Sequence, residues 1–227
     1  MAGRVFAVTG AFGVLGHAVA EAAAATGARV ALIDQAPAPK ALLTDALALG
    51  GTDISDPAGA ARAVEKVVER FGGLDVLVNV AGTFRWETLA GGDPATWDLL
   101  YRVNVATALN MSKAALPHLM ASGAGRIVNV GANAALRAGM GMGAYAASKS
   151  GVHRLTESLA EETKGKGVTV NAVLPSIIDT PANRVDMPDA DFGKWVKPAE
   201  LAAVIIFLAS EKAGAMTGAL VPVTGGV

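Results

Sequence analysis

The chain has 227 residues, enough for one domain with a sizeable core, and 52% of them are hydrophobic while only 17% are charged, which excludes a disordered chain. Its net charge of −1 and lack of any basic run argue against nucleic acid or an anionic membrane surface as partner. It has no cysteine, so disulfides, thiol catalysis and cysteine-held zinc are excluded, and its three histidines, His17, His118 and His153, have no ligand spacing, so no metal is expected.

The elements follow in order. Arg4 to Thr9 is a short apolar run expected to be a strand buried on both faces. It leads into the glycine turn Gly10-Ala11-Phe12-Gly13-Val14-Leu15-Gly16 and an alanine-rich helix from His17 to Thr26, stopped by Gly27. Ala28 to Ile33 reads as a second strand and ends on Asp34. Strand, glycine turn, helix, strand and acidic residue is the dinucleotide-binding order: the glycines let backbone approach a pyrophosphate, and the helix N-terminus offers it free N–H groups. Asp34 lies 18 residues after Gly16, where a carboxylate accepts both ribose hydroxyls of NAD and repels the 2′-phosphate of NADP. NADH is therefore the expected cofactor.

A modest helix is expected around Lys40 to Leu49, then a third strand at Gly51 to Ile54. Asp56-Pro57 marks an N-cap and first helical residue, with the helix running to Phe71. Leu74 to Asn79 is a fourth strand, ending in Asn79-Val80-Ala81-Gly82. Asp93-Pro94 starts a long helix containing Trp97, Asn104 and Asn110, with Pro117 bending it or falling at a break near its end. Arg126 to Val130 is a fifth strand, followed by a glycine-rich loop and a helix that carries Tyr145 and Lys149 and runs to about Lys164. Val168 to Leu174 is the sixth strand, ending at Pro175. A loop over 175–197 precedes a helix from Pro198 to about Ser210 and a seventh strand from Ala219 to Thr224.

The alternation implies a single α/β domain over 1–227: a Rossmann fold with a doubly wound, seven-stranded parallel sheet and helices on both faces. Ligands of such sheets bind beyond the strand C-termini at the switch in strand order. Asp34, Asp53, Asn79, Ala132, Asn133 and Pro175 all follow strands on that edge. So do Tyr145 and Lys149, which share one helix face four residues apart. A phenol beside a fixed ammonium is expected to have its pKa drawn toward neutrality. No leader or membrane span is apparent, and the cytoplasm is the expected location.

The chain resembles a short-chain dehydrogenase/reductase over essentially its whole length. The resemblance rests on Thr9-Gly10-x-x-Gly13-x-x-Gly16, Asp53, Asn79-Val80-Ala81-Gly82, Asn104, Tyr145-x-x-x-Lys149, and Val170 to Pro175 leading to Thr180. It implies that Tyr145 exchanges a proton with the substrate and that Lys149 holds the nicotinamide ribose. It further implies that Asn104 positions a relay water, Asp53 and Ile54 contact adenine, Asn79 to Gly82 flank the cofactor, and Ile178 and Thr180 hold the carboxamide. A homodimer or homotetramer is expected by the same resemblance.

Three departures stand out: Val14 in the glycine turn, Ala132 where the family places a serine, and Pro175-Ser176 in place of Pro-Gly. Asn133 or Ser176 is a candidate to replace the missing serine. Together with the segments Gly131 to Leu136 and Leu174 to Trp195, these departures resemble the quinonoid dihydropteridine reductase branch. That resemblance implies an electron-poor C=N substrate, with a ketone or 3-oxoacyl substrate as the alternative and an NAD-binding sensor as the non-enzymatic one. Phe192 and Trp195, in an exposed segment, are candidates to close over a flat substrate ring, as are Phe84 and Trp86.

Overall fold

Val5–Thr9 (β1) is buried along its whole length, as a run without alternation requires in the middle of a parallel sheet. A computed structural model describes residues 1–40 and 43–227. In chain order β1 is followed by Val14–Ala25 (α1), Arg29–Ile33 (β2), Leu47–Leu49 (β3), Pro57–Phe71 (α2) and Val76–Asn79 (β4). Then come Pro94–Leu100 (α3), Thr107–Ala121 (α4), Gly125–Val130 (β5), Gly143–Glu162 (α5), Val168–Pro175 (β6), Pro181–Asp186 (α6), Pro198–Ala209 (α7) and Leu220–Val223 (β7).

The described residues form a seven-stranded sheet in the order β3-β2-β1-β4-β5-β6-β7, with every pairing parallel. The chain starts at β1, moves outward to β3, then crosses back to β4 beside β1. The switch in strand order therefore lies between β1 and β4, where Thr9 stands opposite both Ile33 and Asn79. One face of the sheet is covered by α2, α4 and α5, the other by α1 and α7, and each face has its own buried apolar cluster. Alanines fill much of the α1 contact (Ala20 and Ala23), which lets that helix lie close to the strands.

The helix starts follow the caps read from sequence. Asp56 accepts from Ala58 N–H and Gly59 N–H, Pro57 takes the first helical position, and Gly72 ends α2 at φ 84°. The stretch after Asp93 differs from expectation. It is interrupted not at Pro117, which lies inside α4, but by a π-helical turn at Tyr101–Ala106. Asn104 sits in that turn.

The third strand also differs. β3 is Leu47–Leu49, paired Leu47 to Ala31 and Leu49 to Ile33, while the expected strand at 51–54 is a turn. Two backbone reversals decide this: Asp45 at φ 63° turns the chain into the strand, and Gly51 at φ 66° turns it out. The short apolar run between them gains more by pairing with β2 than by coiling. The expected helix around Lys40 to Leu49 is therefore absent over 43–49, and its residues 41 and 42 lie outside the described residues. Among the described residues, no helix is long and apolar enough to cross a membrane.

Candidate active site

The turn after β1 is shaped by close backbone approach. Gly10 has φ 62°, and a Cβ there would lie 2.9 Å from the Cα and N of Ala81 in the loop after β4. A Cβ on Gly16 would overlap the Gly10 carbonyl, so α1 can start against the turn only with glycine at that position. Thr9 Oγ1 accepts the N–H groups of Val80 and Ala81, both at 3.1 Å, and so pins the two loops of the switch point together. α1 begins without a side-chain cap, which leaves first-turn N–H groups for phosphate oxygens.

At the end of β2 the Asp34 carboxylate accepts from Phe12 N–H at 2.9 Å and Ala36 N–H at 3.0 Å. These bonds fix its orientation and leave lone pairs on both oxygens. Thr52 N–H donates to the Asp34 carbonyl, which brings the following Asp53 and Ile54 to the same edge although neither lies in a strand. Asp53 accepts from the N–H and hydroxyl of Ser55, which holds its carboxyl below the usual range.

A cleft of about 660 Å³ joins these parts, a size suited to a dinucleotide. Of the residues singled out in the sequence, Gly10, Phe12, Gly13, Leu15, Gly16, Asp34, Asp53, Ile54, Ala81, Gly82, Ile178, Tyr145 and Lys149 line it. Others fall outside its lining. Val14 is 46% exposed on the outer side of the turn, and Pro175 is buried at the end of β6. Thr180 caps α6, its Oγ1 accepting from Asn183 N–H at 3.2 Å. Asn79 is buried and donates to Asn129 Oδ1 and Ser112 Oγ, a tie between β4, β5 and α4.

Lys149 is buried, and its ammonium donates to the Val130 carbonyl at 2.7 Å. Burial lowers its pKa to about 8 and raises that of Tyr145 to about 12. The expected lowering of the phenol by its neighbour is thus outweighed, in the protein by itself, by desolvation. Phe84 contributes to that apolar setting, its ring edge-on to Tyr145 at 4.9 Å between centroids.

Asn104 is a clamp. Its Oδ1 accepts from Thr83 N–H at 2.7 Å, and its Nδ2 donates to the Thr83 carbonyl at 3.0 Å and to Ser148 Oγ at 2.9 Å. Ser148 in turn donates to the Tyr145 carbonyl at 2.8 Å. The loop after β4 is thereby tied to the first turns of α5. Of the side chain, only the second lone pair of Oδ1 is left for a relay water, so the carboxamide itself is chiefly a positioning group. A Cβ on Gly82 would stand 2.9 Å from Asn104 Oδ1 and 3.2 Å from Lys149 Nζ, which explains the glycine.

The neighbourhood of the missing serine is closed. Ala132 is buried, and its N–H donates to His153 Nε2 at 3.3 Å. Ser176 cannot stand in for a serine at 132, because its hydroxyl donates to the Thr224 carbonyl at 2.7 Å. Asn133 opens a short 3₁₀ turn and is half-buried. Trp195 is not exposed, although most of the segment before it is: it is 4% exposed, packed beside Phe192 with ring centroids 4.7 Å apart, so it belongs to the body rather than to a lid. Trp86 is 54% exposed beside the Gly139–Gly143 loop.

At three positions around the cleft the contacts have no counterpart in the sequence analysis. Thr9 Oγ1 and Arg102, which lines the cleft near Asp53, carry no pattern of their own. His153 lies two helical steps of four beyond Tyr145, and that spacing alone marks it as facing the end of β5.

A family model described as short chain dehydrogenase matches residues 4–190. An acetoacetyl-CoA reductase of Allochromatium vinosum is 31% identical over 99% of this chain and 98% of its own length. A 3-oxoacyl-[acyl-carrier-protein] reductase of Thermotoga maritima is 33% identical over the same shares. The ligand-free aldohexose dehydrogenase of Thermoplasma acidophilum superposes with a TM-score of 0.88 at 27% identity, covering 98% of this chain and 93% of its own. The two reductases are named for 3-oxoacyl chemistry, so the likeness to dihydropteridine reductases read from the β5 and β6 segments is not the one these relatives express. The family match covers the glycine turn at the strand-order switch and the tyrosine and lysine on the same cleft, and with relatives at 31% and 33% identity along nearly the full chain it shows that the chain belongs to the short-chain dehydrogenase family of oxidoreductases.

Proposed function

We propose that the protein reduces the ketone of a 3-oxoacyl thioester or a kindred carbonyl compound, using NADH and Tyr145 as the proton donor. The observation that carries this reading is that Tyr145 and Lys149 line one cleft with the Gly10–Gly16 turn and Asp34. A proton-transfer pair and a dinucleotide cradle belong together in few other chemistries. The choice of carbonyl is supported by the names of the relatives at 31% and 33% identity.

The residues present fit a nicotinamide dinucleotide. The turn has no room for side chains at Gly10 and Gly16, as close pyrophosphate approach requires. Asp34 stands where ribose hydroxyls would end, with no basic residue adjacent to it in sequence, which favours NADH over NADPH. When bound, the nicotinamide supplies a hydride to the carbonyl carbon. Tyr145 gives its phenolic proton to the carbonyl oxygen as the new C–H bond forms, so the product is an alcohol. Lys149 holds the ribose and places a positive charge near the phenolate left behind. Asn104 and Ser148 fix the start of α5 and so the height of Tyr145 above the cleft.

A second reading is favoured by one observation, the methyl of Ala132 where a hydrogen-bond donor would assist a ketone. A conjugated C=N substrate, as in quinonoid dihydropterins, needs less polarisation and would tolerate the alanine. Turnover of NADH with acetoacetyl-CoA against turnover with a quinonoid dihydropterin separates the two. A homodimer or homotetramer formed through α4 and α5 is also proposed, supported by the exposed side chains of Tyr101 and Leu109 on that side of the molecule.

A further inference from the structure

Trp86 is a half-exposed aromatic residue two positions beyond Phe84, which lines the cleft. Its indole lies flat against Gly141: a Cβ at that position would fall within contact of indole Cε2 and Nε1 and 2.7 Å from Cδ2. Gly141 has φ 74°, and its carbonyl accepts from Glu87 N–H at 2.9 Å, so the loops after β4 and β5 are tied where the indole rests. One face of the ring is thus spent on backbone, while the residue keeps 54% of its surface exposed. Two residues earlier Phe84 lines the cofactor cleft and packs edge-on against Tyr145. Trp86 is thus anchored between two points of the cleft's catalytic end, Phe84 two residues before it and the loop that leads into the Tyr145 helix.

Covering the open face of an indole removes apolar surface from water, and a rigid ring gives contact area at little entropic cost. The geometry points to Trp86 as a specificity-determining residue: its open face is the platform for a planar apolar group carried a few bonds away from the reacting carbonyl or C=N. The occupant is the substrate, because Trp86 follows the cleft-lining Phe84 by two residues and because the glycine needed to seat the ring lies two residues before the start of the Tyr145 helix. The inference rests on the carbonyl or C=N reading of the same site and names the group that such a substrate carries. Gly141 is part of the device, since any side chain there would lift the indole.

The test is binding, measured by calorimetry on the NAD⁺-loaded protein, of acetoacetanilide against acetoacetamide, two 3-oxo compounds that differ by one aromatic ring. The wild-type protein is expected to prefer the anilide by about tenfold, the upper end of what an aromatic contact adds. Trp86→Ala and Gly141→Ala are both expected to bring the ratio close to one, and Trp86→Phe to keep most of it, with NAD⁺ binding retained in all three. A wild-type ratio near one, an unchanged ratio in Trp86→Ala, or equal weakening of both ligands would overturn the proposal. So would loss of oligomer mass in Trp86→Ala on sedimentation, which would make the indole a subunit contact. A preserved binding preference without NADH-dependent reduction of any 3-oxo compound would instead remove the proposed function and leave the platform standing.

Discussion

Lys149 donates its ammonium to the main-chain carbonyl of Val130 at 2.7 Å, and at 5% exposure it has no carboxylate to balance it. A buried cation without a counter-ion costs stability.

Its effect on stability has a definite sign. The folded pKa is about 8 and the unfolded value 10.5, so between those pH values the folded protein releases a proton that the unfolded chain keeps. Stability of the cofactor-free protein should therefore rise through pH 8 to 10.5, by about 3 kcal/mol at most. Tyr145 acts oppositely and later: its folded pKa of about 12 against 10.0 makes stability fall as pH rises above 10. Denaturant midpoints measured from pH 7 to 10 should climb in the wild-type protein and stay flat in Lys149→Met. A flat wild-type profile would contradict the burial.

Asp34 should set cofactor choice. Its oxygens are oriented by Phe12 N–H and Ala36 N–H, so Asp34→Ser removes the charge and part of that support. Wild-type protein is expected to bind NADH at least about tenfold tighter than NADPH, and the variant to bind the two within a few-fold, by fluorescence titration. Tighter NADPH binding by the wild type would remove this role.

Gly10→Ala should damage both fold and cofactor binding. The left-handed backbone costs roughly 1–3 kcal/mol for a side chain, and the clash with Ala81 adds to it. Gly3 offers the control, since at φ 79° it has nothing within 4 Å of its Cβ position. Gly3→Ala should show the backbone cost alone in a melting experiment and leave cofactor affinity intact.

Ala132→Ser separates the two substrate readings. With a ketone substrate the added hydroxyl should raise kcat/KM at least about tenfold, because one such donor is worth about two to three orders of magnitude where the reaction needs it. With a quinonoid C=N substrate, steady-state rates should change little. His153 holds the Ala132 N–H at 3.3 Å, so the backbone that would carry the serine is already fixed.

Much of the molecule is legible in its sequence, for physical reasons. Buried parallel strands read as unbroken apolar runs, Asp-Pro and glycine mark helix ends, and a glycine turn with an acidic residue at the next strand end is a local pattern. The position of β3 is not legible because three residues between two backbone reversals carry no periodicity, and an aspartate only weakly signals the positive φ found at Asp45. The site divides in the same way. Tyr145, Lys149 and Asp34 are recognisable by type and spacing, whereas the pairing of Thr9 with Val80 and Ala81 exists only once the loops meet. The burial of Trp195 and the commitment of Ser176 to Thr224 are likewise tertiary facts.

The most direct test of the central claim is NADH oxidation with acetoacetyl-CoA by wild-type protein and by Tyr145→Phe. Tyr145→Phe keeps the ring against Phe84 and removes only the phenolic hydroxyl. The wild type should turn over, and the variant should lose at least about a hundredfold in kcat, the size expected for a general acid, while binding NADH as before. Equal turnover by the two proteins would contradict the mechanism.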